Sequence, residues 1–477
     1  MFAIIKKSLI QIIVFSCFLF ARTYTLEELI AEALRNSKQL RSIEKEMEKT
    51  NAGISEARGK AMPQLRSSIT MSHAFKQISP LHPLQSLMES EGLEKIRSLY
   101  EDMEDHTGML RGTGSSITYA SIDYLISEMQ NVPGDSAILS LTLNQPIFAQ
   151  GKISKEIQSG KTAQRINICR YYDMKMKIKA DIVKIYFESL LAQKSVDIQN
   201  KAVELAKETH RLAVVRYVIG KASELDTLSS RLNLENAKIE VQKAQSTKCL
   251  TYETLVTLSG IIEIPDSFSV SGEFPETVFE LPLELVLGKV RENNYQISQL
   301  KGKEELKEIM VDMAKTDFYP YVFAGASLYK TGLFDGFSNF PKAIWGDNIN
   351  VFVGLTWNLF TGLTRNHKLR KAYADKDQFR FIKQKKIEQI ELQARKAYEK
   401  VVLNRDRMDA IVLVLELSEK RYALAKNEYE NGSKTLLDVQ NAEFELNKAK
   451  IKFNTAQYEF HTALVDLYLL MGDIEDY

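Results

Sequence analysis

Two aspartates hold the most suggestive positions for chemistry in this 477-residue chain. Asp226 and Asp438 each stand three residues after a hydroxyl, Ser223 and Thr435, and six after a glycine, Gly220 and Gly432. That spacing is a capping box. The hydroxyl accepts from the third backbone N–H of a starting helix, and the carboxylate reaches back to the amide of the capping residue. Other chemistry finds little to stand on. His73, His82, His106, His210, His367 and His461 fall at no spacing that gathers metal ligands. Gly160-Lys161-Thr162 ends as a phosphate loop would, but Lys155 stands where the first glycine is needed, and the stretch reads as helix. Gly112-Thr113-Gly114 lacks the third glycine and a preceding strand. There is no nucleophile elbow and no metal-binding helix, so no catalytic residue, metal ligand or cofactor is assigned.

The elements that carry the two aspartates are duplicated. From Tyr429 an apolar seam runs through Val439, Ala442, Leu446, Ala449, Phe453, Ala456, Phe460, Ala463, Leu467 and Leu470 in alternating steps of three and four. This is the heptad pattern of a helix packed along its length on another helix. Subtracting 212 aligns Tyr217 to Gly260 with Tyr429 to Gly472, with 13 identities in 44 positions and no gap. Chance at about one match in sixteen gives roughly two or three, so the repeat is an internal duplication. It extends upstream at an offset of 257, where Leu26, Glu27, Asn36, Gln39 and Pro63 match Leu283, Glu284, Asn293, Gln296 and Pro320. The change in offset places about 45 extra residues in the first repeat, between Phe75 and Asp135.

Each repeat begins with a helix that the periodicity predicts over Thr25 to about Ala61, or from Pro282-Leu283 to Pro320. After each proline the period changes to two. Strands are predicted over Leu65–Phe75, Ile138–Phe148, Tyr321–Tyr329 and Ile349–Phe360. The last alternates Ile349, Val351, Val353, Leu355, Trp357 and Leu359 with small or polar residues. Strands of about ten residues, apolar on one side and small or polar on the other, are the signature of transmembrane β-strands. Four cannot close a barrel, and lipid tolerates no open sheet edge, so this reading requires an oligomer. Long helices are predicted over Lys152–Val218 and Thr364–Glu430, folding back at Gly220 and Gly432 onto shorter ones.

These elements divide the chain into a signal peptide over 1–21, repeat 1 over 22–261 with an enlarged outer loop at 76–135, a surface linker over 262–282, repeat 2 over 283–472 and a tail over 473–477. Lys6-Lys7 and the apolar run Ser8–Phe20 form the signal, too short to span a bilayer. Val14-Phe15-Ser16-Cys17 is a poor lipidation box because of Phe15. A net charge of +1 argues against nucleic acid. Cys169 and Cys249 lie 51 residues before and 29 after the Gly220 turn, a mismatch of about 33 Å of helix, so no intrachain bridge is expected.

The order of capped helix, proline stop, strand pair, step into a long helix and Tyr-x-x-Gly hairpin tip with an Asp six residues on resembles the TolC-type outer-membrane efflux and secretion channels. Tyr429-Glu430-Asn431-Gly432 through Asp438, Thr25-Leu26-Glu27-Glu28-Leu29, Gln145-Pro146-Ile147-Phe148 with Gly151, and Asn358-Leu359-Phe360 with Gly362 carry the resemblance. Family strand-to-helix steps often hold two adjacent glycines, and here each holds one. The resemblance implies a mainly α fold with transmembrane β. Duplicated helical hairpins would form an α-helical coiled-coil barrel, and four strands per chain would build a homotrimeric 12-stranded barrel in outer-membrane lipid. It implies a passive exit duct of a tripartite efflux pump or type I secretion system, partnered by a periplasmic adaptor and an inner-membrane pump. It places Asp438 and Asn441 at the pore constriction, where family members commonly have a second acid at the latter position. Asp226, Tyr429 and Lys434 map onto a tip latch, with Lys replacing the usual Arg and losing bidentate pairing. Val218, Ile219, Gly220, Lys221, Asn431, Gly432 and Ser433 map onto the adaptor-binding tips. Two other readings stand beside this one: an exported periplasmic coiled-coil scaffold, and an enzyme built on the 76–135 insert.

Overall fold

A computed structural model describes residues 23–73, 135–261, 269–334 and 336–473. The signal segment with Cys17, Phe75, most of the 76–135 insert, in which the sequence suggests a short helix over Leu93–Met103, residues 262–268 and the last four residues lie outside the described residues.

The chain divides into two compact units. The helical unit comprises residues up to Ile54, Ile157–Ala314 and Asn366 onward. Its long helices are α3 (Lys152–Val218) and α7 (Thr364–Glu430), 67 residues each, with partners α4 (Glu224–Ser259) and α8 (Leu436–Met471), 36 each. The duplication is metrically strict. α1 (Leu26–Asn36) and α5 (Leu283–Asn293) have 11 residues, and α2 (Lys38–Gly59) and α6 (Tyr295–Thr316) have 22.

The single helix expected in each repeat before the proline is therefore two. The break falls at Ser37 and at Asn294, both in extended conformation. Each breaking side chain caps the helix after it: Ser37 Oγ accepts from Leu40 N, and Asn294 Oδ1 accepts from the amides of Gln296 and Ile297. A polar residue that can satisfy the next turn's amides makes the break cheap, while the apolar period continues across it. The breaks also tie the start of each repeat to its own end. Asn36 Nδ2 donates to Gly260 O, and Asn294 Nδ2 to Leu470 O, at the C-termini of α4 and α8. Gly260 and Gly472 close those helices with positive φ, and a side chain at either would strike Asn36 or the Asn293 carbonyl at 2.7 Å.

The predicted seam of α8 is buried through Val439, Ala442, Leu446, Ala449, Ala456, Phe460, Ala463 and Leu467. α8 lies between α3 and α7. It meets α3 through Val465 and the Lys184–Asp466 ion pair, and α7 through Ile390, Ala394, Val401 and the Arg407–Glu459 pair. Among the described residues the outward sides of α4 and α7 have no partner, exposing Leu225, Leu228 and Leu232 on one and Leu403, Leu413 and Leu417 on the other. The expected surface linker is partly core. Ser269–Val270 (β4) pairs in parallel with Thr23–Tyr24 (β1), and Phe274 and Phe279 enter the two main clusters. Prolines and acids marked the segment as exposed, and two well-spaced phenylalanines outweigh them. Phe274 stacks on His461, a buried ring held neutral by desolvation, its pKa lowered to about 4.

The second unit comprises Ser55–Glu156 and Lys315–Arg365 and holds an antiparallel sheet in the order β2-β3-β5-β6. Its strands are β2 (Gln64–His73), β3 (Asp135–Ala149), β5 (Tyr321–Phe334) and β6 (Ile344–Thr356). β6 starts five residues earlier than expected and stops before Trp357. The ladder with β5 ends at Tyr321↔Thr356, because Pro320 has no N–H to extend it. Pro146 similarly forces a bulge in β3.

Candidate functional site: the hairpin tips and the apolar sheet

The sheet carries one continuous apolar face. Leu65, Leu143, Ala326 and Val351 lie side by side across the four strands, as do Leu141, Leu328 and Ile349. On β6 the exposure of Ile349, Val351, Val353 and Leu355 runs from 64% to 83%. The opposite face is mixed: Ser68 and Ser136 hydroxyls bond Ser140 and Ser72 at 2.7 Å, and the Phe323 and Phe352 rings pack against Gly354 and Gly325. No described helix is long and apolar enough to cross a membrane. The strands have 10 to 15 residues, which meets the about 9–11 that a tilted transmembrane strand needs.

At the step from strand to long helix the chain places two consecutive residues at positive φ, Gln150-Gly151 (57° and 77°) and Gly362-Leu363 (59° and 64°). Each pair holds one glycine and one residue with a side chain, so Gln150 and Leu363 are held in the left-handed region that glycine adopts freely.

The two tips are built alike. Gly220 (φ 74°) and Gly432 (φ 82°) reverse the chain, and Lys221 N and Ser433 N bond the carbonyls of Arg216 and Glu428. Both capping boxes are formed. Asp226 Oδ2 accepts from Ser223 N at 2.8 Å and Ser223 Oγ at 2.9 Å, and Asp438 Oδ2 from Thr435 N at 3.0 Å and Thr435 Oγ1 at 2.7 Å. Those bonds, from the Thr435 side chain first and its amide second, hold the Asp438 carboxyl below the usual carboxylate range. Asp438 and Asn441 are exposed, one turn apart on one face of α8. Val218, Ile219, Gly220 and Lys221 form an exposed, largely apolar tip, and Asn431, Gly432 and Ser433 an exposed polar one.

Asp226, Tyr429 and Lys434 do not pair as a set. Lys434 reaches back within its own hairpin to Glu428 at 3.1 Å. Tyr429 is buried, and desolvation raises its phenol pKa, with a further upward push from the Asp226 carboxylate. Its cross-hairpin partner is Arg216, whose guanidinium lies 4.4 Å from the ring centroid and donates to the Tyr429 carbonyl at 2.5 Å. Below this contact Ala213, Tyr429, Leu436 and Val439 join the hairpins in a small core of their own. Sequence reasoning missed Arg216. A signal was present, since the duplication aligns Arg216 with Glu428, a reversal of charge next to the matched Tyr217 and Tyr429. Among the described residues no group of three or more His, Cys, Asp or Glu could hold a metal ion, and Cys169 and Cys249 are free.

The sequence profile described as outer membrane efflux protein matches residues 115–261 and 286–473. No curated protein sequence matches the chain. Solved structures do. The chain is similar to the CmeC outer membrane channel of Campylobacter jejuni, at TM-score 0.72 and 18% identity over 94% of this chain and 85% of that one. It is similar to the outer membrane protein VceC of Vibrio cholerae, at 0.69 and 17% over 94% and 96%. It is similar to the open state of the MtrE outer membrane channel of Neisseria gonorrhoeae, at 0.66 and 15% over 94% and 89%.

Proposed function

Because the chain belongs to the outer membrane efflux protein family, we propose that three copies assemble into one exit duct gated at the hairpin tips. An outer-membrane location and an efflux role come with the family, which is one of transport conduits. The observation that carries the trimer is that both layers stop at open edges. Among the described residues the sheet ends at β2 and β6 with unpaired backbone and an apolar face, and the helical layer ends at α4 and α7 with exposed leucines. Lipid permits no open sheet edge, so each β6 needs the β2 of a neighbour. Three sets of four strands make twelve, an even number within the range of closed outer-membrane barrels. The relatives' printed descriptions as outer membrane channels support the same reading.

In this duct Asp438 and Asn441 stand three times around the axis at the narrow end, with the carboxylates favouring cations. Asp226, Tyr429 and Lys434 belong to the tip latch, with Arg216 added as the group that bridges the hairpins. Val218, Ile219, Gly220, Lys221, Asn431, Gly432 and Ser433 form the docking surface for a periplasmic adaptor, which joins the duct to an inner-membrane pump. The channel is passive and holds no cofactor. A scaffold without channel activity has no use for the exposed apolar row on β6.

Assembly is tested with paired cysteines placed along β2 and β6 in a background with Cys169 and Cys249 changed to Ser. Oxidation is expected to give covalent trimers in denaturing gels from outer-membrane fractions. Crosslinks confined to dimers, or none for any pair in membrane-inserted protein, would overturn the twelve-stranded assembly.

A further inference from the structure

Glu443 is the one acidic residue of the hairpins that the packing hides. It sits on α8 about three helical turns from the tip, at the same height as Thr209 on α3 and Tyr422 on α7. Only 3% of it is exposed. The Thr209 hydroxyl across the hairpin boundary favours the charged carboxyl, and Oε2 has no hydrogen-bond partner among the described residues. The apolar cluster that joins the two hairpins, Ala213 with Tyr429, Leu436 and Val439, begins directly below, and Tyr422 packs against it. The duplication does not demand an acid here, since the matching residue of the first repeat is Arg231, which is exposed.

A carboxyl buried at a seam between two bodies is stable there only while neutral, because a lone charge with an unpaired oxygen pays the full cost of desolvation. The charge of Lys426 on α7 acts on Glu208, and the Glu443 carboxyl itself answers only to burial and the Thr209 hydroxyl. From α3 come Thr209, Glu208, which is already held by Arg211, and His210, whose ring bonds Ser230 instead. From α7 come Tyr422 and Glu430, and the phenol is itself pushed up to about 12 by burial first and then by Glu443, Glu430 and Glu208.

We propose that Glu443 is a proton-operated latch between the two hairpins: protonated, it seals them together at the tip, and losing its proton it drives them apart. This rests on the reading of the tip as the gate.

Burial raises the Glu443 pKa from 4.5 to about 7, partly offset by the Thr209 hydroxyl. In separated hairpins the carboxyl meets water and returns to its ordinary value. The separated form therefore binds fewer protons between 4.5 and about 7, and the ratio of separated to closed forms rises up to tenfold for each unit of pH across that window. Below the window both forms are protonated and the ratio is flat.

The test uses the full chain, in planar bilayers for conductance and in detergent with spin labels at residues 215 and 427 for hairpin separation. Wild type is expected to show label separation and open probability that both rise with pH. Glu443→Gln is expected to hold both at the acid level at every pH. Thr209→Val, which removes the bond that favours the charged form, is expected to carry the rise on to higher pH and to a larger final separation. A label distance that ignores pH in wild type, or a pH response that survives Glu443→Gln, overturns the latch. A label response that Glu443→Gln removes, with conductance flat in wild type, supports the latch and instead contradicts the tip as the gate.

Discussion

Asp438 does two things that separate cleanly by substitution. Its carboxylate caps α8 through Thr435, and its charge stands exposed beside Asn441. Asn at this position still accepts from the Thr435 amide, whereas Ala cannot. Asp438→Asn is expected to weaken block of the conductance by divalent cations at little cost to the helix, and Asp438→Ala to weaken it equally while also losing the bond back to the Thr435 amide. Divalent titrations of single-channel current check this, and block unchanged in both variants would leave Asp438 as a cap alone. The capping boxes were readable in sequence because every atom involved lies within four residues. The partner of Tyr429 was not, because Arg216 reaches it from another hairpin, and that depends on how α3 is rotated. Glu443 was hidden differently: it stands beside the seam residue Ala442, where a charge ordinarily reads as solvated.

At the scale of elements, the duplication predicted the long helices to the residue, since sixty-odd residues of unbroken helical pattern leave little freedom in where they end. It did not predict the breaks at Ser37 and Asn294, where a one-residue interruption leaves the apolar period intact. Nor did it reveal what the missing glycines cost. Leu363 at φ 64° is more than half exposed, so its side chain gains little from packing in return for left-handed strain. Leu363→Gly is expected to raise stability by about 1 kcal/mol, the left-handed penalty less the added freedom of glycine. Gln150→Gly is expected to gain less, because the Gln150 amide donates to the Tyr319 carbonyl and that bond would be lost. Unfolding midpoints in detergent rank the two, and a destabilised Leu363→Gly would contradict the strain.

For the whole molecule, the fold class was legible because each layer advertises an unfinished edge. Among the described residues the alternating residues on β6 and the leucines on α4 and α7 have no partner, and the proposed closed ring would satisfy both. The segment between repeats was misjudged because Phe274 and Phe279 act through tertiary burial, which no local pattern encodes. In the proposed duct, contacts between hairpins hold the tips shut, with Arg216 on Tyr429 foremost. Single-channel recording of the full-length protein in planar bilayers tests it most directly. Wild type is predicted to give discrete, small conductance steps, and Arg216→Ala larger or longer openings with the same ion preference. Folded, membrane-inserted protein that gives no conductance steps in either form would contradict the account.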